Sequence, residues 1–185
     1  MKDLMTVKTG ITHSGKFHTD DVVSTAFIKS FNPNINVIRV KEFNGEGDTD
    51  VIVYDVGLGE FDHHQEERKI DLFGHAYCAF GLLWEAYGKE YLKRRNFTHL
   101  EEAFDLFNRK FVSKINQGDN EGYKKVKRFF ENDLIVKCNP MWFEEITSEL
   151  KNMQFEKAVR LAQAFLDTWT RQIFHEVEDH TYCIE

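Results

Sequence analysis

The chain has 185 residues, 42% of them hydrophobic and 17 of them Phe, a globular composition that excludes an unfolded or low-complexity protein. That length suits one domain, residues 1–185, able to bury a core without disulfide or metal staples. A formal charge of −7 argues against a protein that grips nucleic acid by neutralising phosphates with its own side chains, although bound cations can let an acidic protein accept a phosphate.

Residues 1–15, MKDLMTVKTGITHSG, contain no apolar leader core, and no later run is long enough to span a membrane, so a cytoplasmic location with no membrane partner is expected. Residues 5–12, MTVKTGIT, read as a first strand. Residues 22–31, VVSTAFIKSF, read as a helix stopped by NPN at 32–34. Residues 35–40, INVIRV, and 50–56, DVIVYDV, read as second and third strands. Strands and a helix at this spacing predict a parallel sheet covered on both faces. From residue 77 to 92 apolar residues recur at helical spacing, interrupted by Gly81 and Gly88. Residues 99–115 form an amphipathic helix with Leu100, Phe104, Phe107, Phe111 and Ile115 on one face. Residues 139–149 open on Asn-Pro, a helix start, and residues 154–176 form a long helix with Phe155, Ala158, Val159, Leu161, Ala162 and Phe165 inward. The expected fold class is α/β, a parallel sheet flanked by helices with a helical C-terminal portion.

Cys78, Cys138 and Cys183 are widely separated, which excludes a disulfide framework and a thiolate zinc site. The basic clusters KRR at 93–95 and KKVKR at 124–128 read as solvated helix faces. His75, His99, His175 and His180 read as solvated imidazoles. The remaining imidazoles and several acids fall at element ends. The segment ITHSGKFHTDD carries His13, His18, Asp20 and Asp21. Asp55 closes the third strand, FDHHQ carries Asp62, His63 and His64, and NQGDNEG carries Asp119 beyond the long amphipathic helix. Singly, each has a plain explanation: Asp20 and Asp21 a helix-start pair, Asp55 a turn cap, Asp119 turn chemistry. Jointly they do not, because loops that follow parallel strands share one edge and converge there. Imidazole and carboxylate donors without thiolate suit Mn²⁺, Co²⁺, Fe²⁺ or Zn²⁺, and their number suits a pair of ions bridged by a carboxylate.

The ordered set THSGKFHTDD, VYDVG, FDHHQ and GDN resembles the MYG family of metal-dependent hydrolases, within the DHH phosphoesterase superfamily. AYCAFGLLW and CNPMW are similar to that family's helical region. The resemblance implies an N-terminal DHH-type domain holding two divalent ions, Mn²⁺ first, with Mg²⁺, Co²⁺, Fe²⁺ and Zn²⁺ as alternatives. It implies His13 and His18 on one ion, Asp20, His63 and Asp119 on the other, and Asp55 on both. His64 would face the phosphate, and Asp62 would lie behind the metal histidines as the acceptor that orients an imidazole, or else serve as a structural turn residue; Lys16 is a candidate phosphate contact or else a solvated loop lysine. Two departures stand out: the family's second, substrate-clamping domain is not expected in these 185 residues, and Gln117-Gly118 precede Asp119 where an acid is usual. The implied reaction is hydrolysis of phosphodiester bonds by a metal-activated water, in RNA or short single-stranded oligonucleotides. Alternatives are a phosphodiesterase of small cyclic or linear nucleotides, a pyrophosphatase-like activity, and a metal-stabilised interaction module. The helix at 154–176 either packs on its own sheet or supports a homo-oligomer that covers the open edge.

Overall fold

Three short β-branched segments pair in parallel around the first of them. The computed structural model describes residues 2–45, 48–65, 68–127 and 129–178; Arg128, His180 and Cys183 lie outside these. Strands β1 (Thr9–His13), β2 (Asn36–Val40) and β3 (Val51–Val53) lie in the order β2-β1-β3, with Ile11 opposite both Ile38 and Val53. The chain leaves β1 through helix α1 (Thr19–Phe31) to β2 on one side, then crosses back to β3 on the other. Strand order therefore reverses at β1/β3, and a crevice opens beyond the carboxyl ends of such strands.

The strands are shorter than their apolar runs. Residues before Val7 form a turn, with Thr6 N–H donating to the Asp3 carbonyl at 3.0 Å. Asp55 ends the third run because its φ of 54° is left-handed and cannot continue a strand. Gly10, Thr12 and Ile52 on one face of the sheet are buried. On the other face Ile11 and Val53 are half-buried and Ile38 is 44% exposed, so the expected double cover is met on one face only.

The helical part follows its periodicity more closely. Helix α2 spans Ala79–Arg94. A second continuous helical run comprises α3 (Leu100–Phe107), a π-helical turn (Asn108–Val112) and α4 (Ser113–Glu121). Asp119 is thus on a helix and not in a turn beyond it: four residues past Ile115, it continues the inward face to the sheet edge. Phe27 of α1 sits between the rings of Phe31, Phe80, Trp84 and Tyr91, at centroid distances of 5.3–5.7 Å. Trp84 stacks on Phe107 at 4.3 Å. Gly88 permits this layer, since a Cβ there would meet Trp84 and Phe104 ring atoms at 2.8 Å. Most of the phenylalanines are core, as aromatic burial at helical spacing predicts.

Helix α5 (Phe130–Val136) was not visible in the apolar pattern. The Asn-Pro segment does not start a helix. Asn139 instead pairs with the backbone of Phe17, accepting from its N–H at 3.1 Å and donating to its carbonyl at 2.9 Å. Helix α6 (Ser148–Glu178) begins only after Thr147, whose Oγ1 accepts from Leu150 N–H at 3.1 Å. Its buried face, Phe155, Ala158, Val159, Ala162, Leu166, Ile173 and Val177, packs mainly on α1, α3 and α5, and Arg39 of β2 lies over Phe155. Arg94 and Arg95 do not form a purely solvated face, because their guanidinium groups lie over Phe31 and Tyr91. Cys78 and Cys138 are free and buried. Among the described residues no helix is long and apolar enough to cross a membrane.

The far end of α6 closes onto the start of α3. Glu178 accepts from Thr98 N–H at 2.8 Å and His99 N–H at 3.1 Å. Burial works to raise its pKa, but the Thr98 hydroxyl, these N–H groups and the His99 imidazole prevail and hold it down at about 2, from 4.5. A depressed carboxylate stabilises the fold above its unfolded pKa and loses that contribution as pH falls through the folded one. Glu178→Gln is expected to cost about 1 kcal/mol at neutral pH, the size of a lost helix cap. In urea unfolding the gap to wild type should narrow as pH falls from 4.5 towards 2.

Candidate metal centre

The β1/β3 edge gathers side chains from four parts of the chain. His13 is the last residue of β1, and Asp20 and Asp21 lie in the first turn of α1. Asp55 follows β3 by two residues, and Asp62, His63 and His64 lie in the loop beyond it. Asp119 comes from the last turn of α4.

Each is positioned by local chemistry. The left-handed Asp55 donates its N–H to the Phe61 carbonyl at 3.0 Å, closing the loop on itself. Asp62 clamps that loop: its carboxylate accepts from Leu58 N–H at 2.7 Å, His64 N–H at 3.1 Å and His64 Nδ1 at 2.7 Å. Asp62 thus serves both as turn former and as the acceptor that orients an imidazole, and that imidazole belongs to His64. Asp21 accepts from the His18 backbone N–H at 2.8 Å, fixing the entry to α1. Asp20, fully buried, accepts from Ala79 N–H at 3.1 Å and Phe80 N–H at 2.8 Å, and so caps α2 from a distant part of the chain. Asn116 Oδ1 accepts from Cys78 N–H at 3.1 Å beside Gly81, where a Cβ would stand 2.2 Å from that oxygen. Only glycine lets α2 and α4 approach this closely.

The resulting geometry is two groups that meet at Asp55. His13 Nε2 is 3.2 Å from Asp21 Oδ2 and 3.2 Å from Asp55 Oδ2. His63 Nδ1 is 3.5 Å from Asp55 Oδ1 and 3.7 Å from Asp20 Oδ2, while its Nε2 is 3.1 Å from Asp119 Oδ2. His13, Asp21 and Asp55 form one set whose donor atoms lie within 4.8 Å of one another; Asp20, His63 and Asp119 form a second, and Asp55 also groups with Asp62, His63 and His64. His13 Nδ1 donates to the Ser14 carbonyl at 3.1 Å, so in the neutral ring the Nε2 lone pair faces the two carboxylates. His13 Nε2, Asp21 Oδ2, Asp55 Oδ1 and His63 Nδ1 are buried and have no hydrogen-bond partner. With the rings deprotonated, these lone pairs converge with no donor between them, an arrangement that fits divalent cations.

Electrostatics support that fit. Burial raises the Asp55 pKa, and Asp21 raises it further against the lowering pull of His13 and His63. Burial, then Asp55 and Asp119, raise Asp20 well above the usual carboxylate range. The imidazoles answer in the opposite sense. Burial works against charge on His13, but the Asp21 and Asp55 carboxylates, each 3.2 Å from its Nε2, raise its pKa to about 11. Burial likewise opposes charge on His63, yet Asp119 and the Coulomb pull of Asp20 raise it to about 9.

A cavity of about 440 Å³ opens on this cluster, lined by His13, His18, Asp55, His63, His64 and Asp119, with Arg68 and Asn120 at its wall. Arg68 donates to Asn120 Oδ1 at 3.0 Å. His18 is exposed and its ring centroid is 5.6 Å from that of His13, so it lies at the mouth, outside the compact groups. His64 lines the same cavity and stacks on His63 at 4.2 Å. Lys16 is exposed and lines neither this cavity nor its neighbour. Asp21, which reads as half of a helix-start pair, stands beside His13 and adds a carboxylate to the expected set. The clue was the doubled acid: successive helical residues point about 100° apart, so Asp20 turns to α2 while Asp21 turns to His13. Arg68 carried no signal, being one cation in a polar loop. His75 is not solvated as expected; its Nδ1 donates to Glu121 at 2.8 Å.

The family model MYG1_exonuc, described as an uncharacterised protein family (UPF0160), matches residues 9–183. A curated relative, "MYG1 protein" of Dictyostelium discoideum, is 27% identical over 179 residues, covering 84% of this chain and 54% of that protein. The chain thus spans about half the length of the curated relative it matches. No solved structure matches it.

Metal ligation needs unprotonated imidazoles, whereas the surrounding carboxylates raise the pKa of His13 to about 11 and that of His63 to about 9. Mn²⁺ binding at neutral pH is therefore expected to release about one proton or more per protein. Titration calorimetry in buffers of differing ionisation enthalpy reads this directly. Heats independent of buffer would show that the imidazoles enter the complex already neutral.

Proposed function

The chain belongs to the MYG1_exonuc family (UPF0160), and on that premise we propose that it is a divalent-metal-dependent phosphoesterase cleaving phosphodiester bonds of RNA or short single-stranded oligonucleotides. The family label supports a nucleic-acid substrate. The observation that carries the chemistry is the convergence of four buried, unpartnered donor atoms on His13, Asp21, Asp55 and His63 at one sheet edge. His13, Asp21 and Asp55, joined from the rim by His18, would hold one cation. Asp20, His63 and Asp119 would hold the other, with Asp55 shared. The donor set suits Mn²⁺, with Mg²⁺, Co²⁺, Fe²⁺ and Zn²⁺ as alternatives.

Divalent cations bound there would supply Lewis acidity to a phosphoryl oxygen and to the attacking water. The protein's own groups do the rest. Asp55 directs one oxygen to the His13 side and the other to the His63 side, which keeps the two positions at a set separation. Asp62 holds His64 in one orientation at the cavity wall, where its imidazole would face a non-bridging phosphate oxygen. Arg68, steadied by Asn120, offers a lasting positive charge at the mouth. Lys16 is a weaker candidate for that role because it stands apart from the cavity.

Chelation is expected to abolish cleavage of single-stranded RNA, and added Mn²⁺ to restore it. Asp55→Asn should lower turnover by about 100-fold or more while circular dichroism still reports a folded protein. A panel of single-stranded RNA, single-stranded DNA, cyclic dinucleotides and pyrophosphate identifies the substrate class. Preference for a cyclic dinucleotide or for pyrophosphate would overturn the oligonucleotide assignment, and full activity after exhaustive chelation would overturn the metal dependence.

A further inference from the structure

A second cavity, of about 470 Å³, adjoins the metal centre. Its walls are the Ser14–Gly15 turn, Arg39 and Lys41 at the end of β2, and Ser148, Lys151 and Asn152 from the first turn of α6. The two cavities share one short piece of backbone, since His13 donates through Nδ1 to the carbonyl of Ser14. Three cationic side chains and no acidic one line this second cavity, in a chain whose net charge is −7. Glu149 belongs to the same turn of α6 but does not line it.

Arg39 is built into the fold. Its guanidinium lies 4.3 Å from the Phe155 ring centroid and 5.7 Å from that of Phe17, and its Nη2 donates to the Gly15 carbonyl at 3.1 Å. Lys41 and Lys151 take part in no ion pair among the described residues. Two uncommitted ammonium groups beside a rigid guanidinium make a place for an anion. The start of α6 adds a partial positive charge, although the three side chains carry the argument.

We propose that this cavity binds a phosphate of a single-stranded oligonucleotide adjacent to the phosphate undergoing cleavage. The inference rests on the phosphodiesterase reading for its catalytic setting. Parallel strands β1 and β2 place the two cavities side by side on the same sheet edge, so one extended backbone meets cations bound by the protein in the first and its own cations in the second. A single-phosphate substrate would use only the first.

The test compares wild type with Lys41→Glu/Lys151→Glu in the Mn²⁺-loaded full chain, leaving Arg39 untouched because it supports packing. Binding of a 5′-labelled single-stranded RNA is followed by fluorescence anisotropy over a salt series, and turnover of bis(p-nitrophenyl) phosphate is measured in parallel. The variant should bind RNA about tenfold or more weakly, with a salt slope reduced by about 0.7 or more, the share of one phosphate contact in a single strand. Turnover of the small diester should stay within about twofold. Unchanged RNA affinity and slope, or equal losses on both substrates, would overturn the proposal, as would a wild type that fails to bind RNA. If wild type binds RNA, the variant binds it weakly and neither cleaves any diester, the phosphate cavity stands and the phosphodiesterase reading fails.

Discussion

The molecule is organised around the placement of Asp55 between two imidazoles. Its oxygens lie 3.2 Å from His13 and 3.5 Å from His63, and no backbone continuing as a strand would hold it there. The left-handed turn at Asp55 brings the carboxylate to the crevice, and the Asp62 clamp returns the chain so that His63 approaches from the other side. The start of α1, the start of α2 and the end of α4 are each tied to this point, through Asp21, Asp20 and Asp119. Their shared requirement is charge balance. Four carboxylates with little access to water cannot all ionise unless positive charge stands among them.

On the proposed reading, that requirement lets an acidic protein address a polyanion. The charge that would meet the reacting phosphate is then not in the sequence but on cations held by the carboxylates. The charge that would meet a neighbouring phosphate is in the sequence, but divided between the end of β2 and the start of α6, more than a hundred residues apart. Net charge obscures both. It counts the ligands as repulsive and averages a local basic cavity into an acidic whole.

The aromatic layer gives these loops a rigid base. Phe27, Trp84, Tyr91, Phe107 and Phe111 interlock beneath the crevice, and glycines at 81 and 88 bring α2 against α4 and α3. The π-helical turn between α3 and α4 lies within this layer, in the run of helix that delivers Asp119.

Element types and the gathering of imidazoles and carboxylates at one edge were readable from the residues in order. Alternating β-branched runs announced a parallel sheet, helical spacing announced α1, α2 and α6, and His13, Asp55, His63 and Asp119 were recognisable because their chemistry is costly to bury by chance. Lines between neighbours in space were not readable. Asp21 joins His13 because helix rotation, which has no mark in composition, turned it there. Asp119 proved helical because its step of four from Ile115 outweighed the turn-like Gly-Asp-Asn-Glu-Gly around it. Asn139 read as a helix start because Asn-Pro is a local signal, while its partner, the Phe17 backbone, is distant in sequence. Periodicity and residue chemistry are properties of short windows, and so survive in one dimension. Which lone pairs face each other, and which cations share a wall, depends on loop closure and packing between segments that meet only when the chain has folded.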